Sequence, residues 1–167
     1  MNYNPSTQER IGDIFHGLIV ETATLNATAA LVSTPKSLFT VYGLVLVNWL
    51  EMEVVTALGA DATTLTFSFD LSTPAVAAAD ISGASGSCAN AAQGQRVTLS
   101  GTALDTAPIL AANPGISLTR NAMIELGGID HVGAITSTGG TANATSGTVK
   151  FRIMYVPITA GAYIAAA

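Results

Sequence analysis

The chain has 167 residues, which fits one domain with a hydrophobic core of useful size. Only 10% of the residues are charged and 49% are hydrophobic, which excludes intrinsic disorder because disorder requires low hydrophobicity and high net charge. The formal net charge of −5 argues against nucleic-acid binding through a basic groove, and the longest apolar run, residues 41–50, is too short to span a membrane.

The N-terminal end is predicted to be a polar arm, residues 1–12, followed by a single β-rich domain over residues 13–167. The arm contains Pro5 and lacks the basic start and apolar centre of a signal peptide. Residues 13–24 alternate as a first strand does, and residues 26–35 are expected to form a linker with a short strand at its end.

The most apolar part of the chain, residues 38–58, is predicted to be a strand that is covered on both faces. Both alternating sets of positions are apolar, and the run is too long for one ordinary strand, so we expect a break or bulge near residues 48–51. A helix over residues 48–57 is the competing interpretation, because Leu50 and Val54 recur at helical spacing.

The next strand, residues 63–71, is predicted to have one face in water. Its core face carries Leu65, Phe67, Phe69 and Leu71, and the residues between them are polar. A turn signal precedes it, so residues 56–69 are interpreted as a β-hairpin. Residues 72–80 favour one helical turn, since a proline follows a capping residue there.

The remaining segments up to residue 126 are short. They are predicted as a loop at 81–95, a strand at 96–100, a loop with a short helix at 104–114, and strands at 116–119 and 122–126.

The strongest strand pattern lies near the C-terminus, at residues 147–157. Its core face carries Val149, Phe151, Ile153 and Tyr155, which alternate with Lys150, Arg152 and Met154. We expect this strand to be central in its sheet and to pair with residues 122–126 across a long Thr/Gly/Ala loop. Eight or nine short strands in all predict an all-β fold, either an antiparallel β-sandwich or a jelly-roll-like barrel.

Residue types that carry chemistry are few. Glu51 and Glu53 share one face of a strand, so they are candidates for a cation site or paired carboxylates, or else they are solvated or paired with an arginine. Asp130 and His131 are adjacent and would point to opposite sides of a strand, which favours a polar loop pair. Cys88 lies among small residues and is predicted to be a buried, inert thiol. We therefore predict no enzyme activity, no catalytic, cofactor-binding or metal-binding residue, and no cofactor.

The scarcity of charge indicates an obligate assembly, because surfaces buried between subunits are depleted of charge. We expect a homo-oligomer, specifically a trimer. The candidate partner-binding residues are Tyr3, Pro5, Ile11, Tyr42 and Trp49.

The chain also has a distinctive ending, Gly147-Thr-Val-Lys-Phe-Arg-Ile-Met-Tyr-Val-Pro-Ile158, followed by Gly161-Ala162. Before it come an apolar strand pair at 44–47 and 53–58 and a small-residue loop with Cys88. Taken together, residues 38 to 163 resemble small tailed-bacteriophage virion proteins of the capsid decoration (cement) or head-fibre type.

That resemblance implies a β-rich, often trimeric structural protein without catalytic activity. It implies a location on the capsid surface of a virion, after synthesis in the host cytoplasm, with the major capsid protein as partner and neither nucleic acid nor membrane as one. The alternative is a carbohydrate- or receptor-binding β-sandwich module of a phage fibre or tail, which would need exposed aromatic side chains beside Asp, Asn or Arg.

Overall fold

Two antiparallel β-sheets pack face to face and enclose one hydrophobic core. The computed structural model describes residues 17–61, 63–99, 107–110, 124–140 and 142–167. In these residues the two sheets do not close into a barrel. The predicted all-β fold with two packed antiparallel sheets is therefore confirmed.

Twelve strands and one short helix occur in the described part of the chain. In chain order they are β1 (Leu18–Glu21), β2 (Leu25–Asn26), α1 (Ala27–Ala30), β3 (Lys36–Tyr42), β4 (Val45–Thr56), β5 (Leu65–Thr73), β6 (Ala79–Asp80), β7 (Arg96–Thr98), β8 (Ile109–Leu110), β9 (Ile124–Leu126), β10 (Val132–Gly139), β11 (Thr148–Pro157) and β12 (Tyr163–Ala166).

The larger sheet has seven strands, in the order β1-β11-β4-β7-β8, with β2 also pairing with β11 and β9 with β4. The smaller sheet has five strands, in the order β12-β3-β10-β5-β6. Strand β11 lies between β1 and β4, so the prediction that the C-terminal strand is central is confirmed.

The core forms where the apolar faces of the two sheets meet. Phe39 and Phe67 from the five-stranded sheet and Phe151 from the seven-stranded sheet are all fully buried. The rings of Phe67 and Phe151 meet edge to face, with centroids 6.2 Å apart at an interplanar angle of 84°. This is a favourable geometry for an aromatic pair, and it joins the two sheets directly.

The apolar run at residues 38–58 crosses from one sheet to the other. Strand β3 belongs to the five-stranded sheet and β4 to the seven-stranded sheet, and the chain turns between them at Gly43, where φ is +74°. The predicted bulge is also present, because the register of β4 against β11 shifts between Met154 and Tyr155, opposite residues 47–49. The competing helix is wrong, since residues 48–56 are part of β4.

Two predicted local structures are wrong. Residues 56–69 do not form a hairpin, because β4 and β5 lie in different sheets. Residues 72–80 contain no helical turn; they form a turn at Pro74 and the short strand β6. Instead, one helical turn, α1, occurs within the predicted linker, where Leu31 N–H donates to the carbonyl of Ala27 at 2.8 Å.

The pairing predicted for β11 is wrong as well. Strand β9 pairs with β4, not with β11. The long loop expected between them contains β10, the central strand of the five-stranded sheet. Strand β12 was also not predicted. The strand predicted at 116–119 and the N-terminal arm lie outside the described residues.

Candidate functional site

A cluster of six charged side chains covers the outer face of the seven-stranded sheet. It contains three carboxylates and three cations, so its formal charge is zero: Glu21, Glu51, Glu53, Arg96, Lys150 and Arg152. We call it the charge cluster. The strand register builds it, because Glu21, Arg152, Glu51 and Thr98 lie side by side on four neighbouring strands.

Arg152 is the centre of the charge cluster. Its guanidinium contacts three carboxylates, with Nε 2.6 Å from Glu21 Oε1, and Nη1 2.7 Å from Glu53 Oε2 and 3.6 Å from Glu51 Oε1. Arg96 approaches Glu51 and Glu53 from the other side, at 3.4 Å each. Glu51 is fully buried, and a carboxylate without solvent needs such cationic partners.

This arrangement decides between the roles that the sequence suggests for Glu51 and Glu53. Both carboxylates are paired with arginines, as one of the four alternatives predicted. In the described residues, no group of three or more His, Cys, Asp or Glu side chains could hold a metal ion. The ion pairs of the charge cluster connect β1, β11, β4 and β7.

Glu21 shows the electrostatic effect of these contacts. Its pKa lies below the ordinary value, chiefly because Lys150 donates a hydrogen bond to it, while partial burial opposes the shift and Arg152 adds to it. The Lys150 Nζ to Glu21 Oε2 distance is 3.0 Å. Because the lowered pKa reflects preference for the ionised form, the contact favours the fold at neutral pH.

The two aromatic partner-binding candidates that are described lie in different surroundings. Trp49 is only 4% exposed and lies opposite Met154 of β11, so its ring belongs to the folded body of the chain. Tyr42 is half-buried at the end of β3 and stacks on Tyr163 of β12, with ring centroids 4.4 Å apart and planes at 16°. The other three candidates, Tyr3, Pro5 and Ile11, lie outside the described residues.

An open cleft of about 370 Å³ lies beside this tyrosine pair. Three connections meet there, β3–β4, β9–β10 and β11–β12. Residues from them line the cleft together with the tyrosines: Gly43, Ile129, Asp130, His131, Val132, Thr159, Ala160, Gly161 and Ala162. We call it the end cleft. The end cleft brings together an exposed aromatic side chain, a carboxylate and an imidazole.

Asp130 and His131 form the polar wall of the end cleft. As predicted, they are a loop pair, since both precede β10. Asp130 has φ of +59°, a left-handed conformation that Asp tolerates better than most residues. The peptide N–H of His131 donates to Gly128, and its carbonyl accepts from Gly43 at 2.9 Å, which fixes this turn against the β3–β4 connection.

Cys88 is a buried thiol, as predicted. Burial raises its pKa, and a hydrogen bond with Ser85 at 3.7 Å opposes the shift only in part. A raised pKa lowers the thiolate fraction at neutral pH, which makes the sulfur a weak nucleophile.

Sequence reasoning missed Tyr163. It lies in a short apolar ending, Gly161-Ala-Tyr-Ile-Ala-Ala166, where Tyr163 and Ile164 alternate between exposed and buried positions as strand residues do. If this alternation is interpreted as a final strand, it predicts that Tyr163 lies on the surface.

Comparison with protein families, curated proteins and solved structures found no match to this chain. None of the described helices has the length and hydrophobicity to cross a membrane.

Proposed function

We propose that this chain is a structural protein of a bacteriophage virion, which assembles as a homotrimer and binds the major capsid protein at the capsid surface. The observation that carries the proposal is the uneven distribution of charge between the two outer faces of the sandwich. The sequence resemblance described above, which covers residues 38 to 163, points to the same class.

The outer face of the five-stranded sheet carries carboxylates but no cation in the described strands. Neighbouring strands place Thr40, Ala134 and Asp70 in one row and Thr138 and Thr66 in another, on the side opposite the buried Val41, Ile135 and Phe67. We call these five residues the threonine face. Asp70 is its one charged member, and Asp80 of β6 lies on the same side of the sheet, where it accepts a hydrogen bond from Ser68 Oγ at 2.6 Å.

No Lys or Arg lies on that side of the described strands. Lys36 begins β3, but it pairs with Ser137, which is fully buried on the core side. Three of the six Lys and Arg residues of the chain are instead neutralised within the charge cluster. A sheet surface without cations suits burial against another subunit, because the centres of interfaces are depleted of charge.

A second copy of this chain is the occupant that we propose for the threonine face. Self-association needs no complementary charge on the partner, and the five residues of this face include one charged side chain, Asp70. A stable subunit interface buries on the order of 800 Å² on each partner, so the interface would extend beyond these five residues over the rest of the sheet face.

The capsid contact is assigned to residues 1–12, which lie outside the described residues and are proposed from sequence alone. Tyr3, Pro5 and Ile11 would supply the buried contacts, which must offset an ordering cost of roughly 1–2 kcal/mol per residue. The arm precedes the strands, so its deletion should leave both the fold and the trimer intact.

Light scattering and capsid sedimentation test the two parts separately. The wild type should have three times the chain mass of 16.9 kDa. Thr40→Arg, which places a long cation on the threonine face, should give a folded monomer. Ala92→Arg is the matched control, since Ala92 is exposed in the β6–β7 loop. A wild-type monomer at micromolar concentration would contradict the assembly.

Deletion of residues 1–10 should leave the mass at that of a trimer but weaken sedimentation with capsids. If the truncated protein sediments with capsids as fully as the wild type, attachment lies on the sandwich and not on the arm.

A further inference from the structure

The residues that line the end cleft have no role in the proposed trimer or in the proposed capsid contact. The end cleft lies at one end of the sandwich, beyond the rows of the threonine face, where three connections meet. Loops that a rigid sheet holds in place are a common location for binding residues. Its volume of about 370 Å³ lies within the usual range of small-ligand sites.

Tyr163 provides an aromatic platform in this cleft. Its side chain is 47% exposed, although a large aromatic residue on a strand is usually buried. One face of its ring rests on Tyr42 at 4.4 Å, and cross-strand pairing of the same two residues fixes that position. The ring is therefore held in place before any ligand arrives, which lowers the entropic cost of stacking on it.

Polar groups surround the platform. Asp130 is exposed and offers two acceptor oxygens. Thr159 Oγ1 accepts a hydrogen bond from Leu44 N–H at 3.1 Å, so the hydroxyl proton of Thr159 remains free to be donated. His131 adds an imidazole to the same wall.

The charge of the end cleft narrows the class of ligand. Its lining includes one carboxylate and no Lys or Arg. A phosphate or a carboxylate ligand would therefore meet repulsion from Asp130 without a permanent cation to compensate. A neutral ligand with one apolar face and several hydroxyl groups fits better, because hydroxyls can donate to Asp130 while the apolar face covers the ring.

We infer that the end cleft binds a neutral saccharide, with the apolar face of a pyranose ring on Tyr163 and ring hydroxyls donating to Asp130. This goes beyond the proposed structural role and does not depend on it. The two are separable, because trimer formation is read from mass and saccharide binding from ligand signals. A free sugar and a terminal sugar of a polysaccharide share this chemistry.

Saturation-transfer NMR on the full chain tests the inference. The probes are the methyl glycosides of glucose, galactose, mannose and N-acetylglucosamine, with methyl glucuronide as the anionic match and a linear glucose oligomer to represent a polysaccharide end. At least one neutral glycoside should give a signal, and the glucuronide should bind at least several-fold more weakly. If the oligomer gives a stronger signal than methyl glucoside, the natural ligand is the end of a polysaccharide. If the two signals are equal, the natural ligand is a free sugar.

Variants locate the signal. Tyr163→Ala should abolish it and Tyr163→Phe should retain it, because stacking needs the ring and not its hydroxyl. Asp130→Asn should weaken binding about tenfold while keeping the left-handed turn, which Asn adopts readily. Ile109→Ala is the matched control, since Ile109 is 43% exposed on β8 of the other sheet and its loss should change nothing.

Three results would overturn the inference. They are no signal from any neutral glycoside, equal binding by wild type and Tyr163→Ala, or a glucuronide that binds as tightly as its neutral counterpart. Amide NMR spectra of each variant, superimposable away from the cleft, show that a lost signal does not come from unfolding.

Discussion

Arg152 of β11 contacts Glu53 of β4 at 2.7 Å, although its direct cross-strand neighbour is Glu51. The short contact is therefore diagonal, which leaves Glu51 between the guanidinium groups of Arg152 and Arg96. A side chain that is buried and charged depends on both neighbours. The charge cluster consequently holds β4 between β11 and β7 through one central arginine.

Arg152→Ala should destabilise the fold strongly. The substitution leaves the buried Glu51 paired with Arg96 and removes the 2.7 Å partner of Glu53. We therefore expect the free energy of unfolding to fall by up to about 3–5 kcal/mol, the range for a buried ion pair that loses one partner. Lys150→Ala is the matched control, because the ion pair that Lys150 forms with the exposed Glu21 is a surface pair, and such pairs contribute about 0–1 kcal/mol. Urea denaturation measures the free energy of unfolding of both variants. If both lose the same amount, Arg152 contributes no more to stability than Lys150 does.

Phe67→Ala should lower the free energy of unfolding by about 3–5 kcal/mol, because Phe67 is fully buried and a cavity replaces its ring. Phe69→Ala should lower the free energy of unfolding by less, since Phe69 is only half-buried and packs against the outside of the core cluster. Thermal melts that rank the two variants in the opposite order would mean that the core lies elsewhere than between Phe67 and Phe151.

Gly43→Ala should also destabilise the fold, by more than about 1 kcal/mol. Gly43 adopts φ of +74°, and an added Cβ would lie 2.8 Å from the Cβ of Ala162. Gly86→Ala is the control, because φ is not positive there and an added Cβ would meet nothing within 4 Å. Equal thermal midpoints for both variants would show that the chain can cross between the sheets without a left-handed residue.

The lowered pKa of Glu21 predicts a pH-dependent contribution to stability. Its folded-state pKa lies below the ordinary value of 4.5, so the stabilisation is present above pH 4.5 and is lost as the pH falls through the folded value. Glu21→Gln should therefore lower the urea midpoint at pH 7, and the deficit should shrink as the pH falls below 4.5. Lys150→Ala should follow the same trend, because protonation of Glu21 removes the partner's charge. A deficit that does not shrink at any pH down to acid unfolding would exclude this linkage.

The sequence predicted local structure well where one face of a strand is wet. Residues 63–71 and 147–157 alternate clearly, and their core faces are those of β5 and β11. The bulge in β4 follows from length alone, since a largely apolar run of twenty-one residues is too long for one regular strand.

Pairing between distant strands could not be predicted in the same way. The hairpin over residues 56–69 failed because the turn signal at 59–61 is local, whereas the choice between sheets depends on packing at the core. Strand β10 was missed because its Gly, Ala, Ser and Thr residues have weak strand patterns, and its central place comes from pairing with β3 and β5.

The candidate sites show the same difference between local features, which the sequence predicts, and contacts between distant segments, which it does not. Glu51 and Glu53 were found from spacing, but their arginine partners lie on β7 and β11, about 40 and 100 residues further along the chain. The end cleft combines three connections, so no single stretch of sequence contains it.

The most direct measurement is quantitative mass spectrometry of density-purified virus particles from a lysate that contains this chain. The proposed function predicts the chain at a fixed copy number relative to the major capsid protein, retained after high-salt washing of the particles. Its absence from the particles, with the chain confined to the soluble fraction of the lysate, would contradict a structural role in the virion.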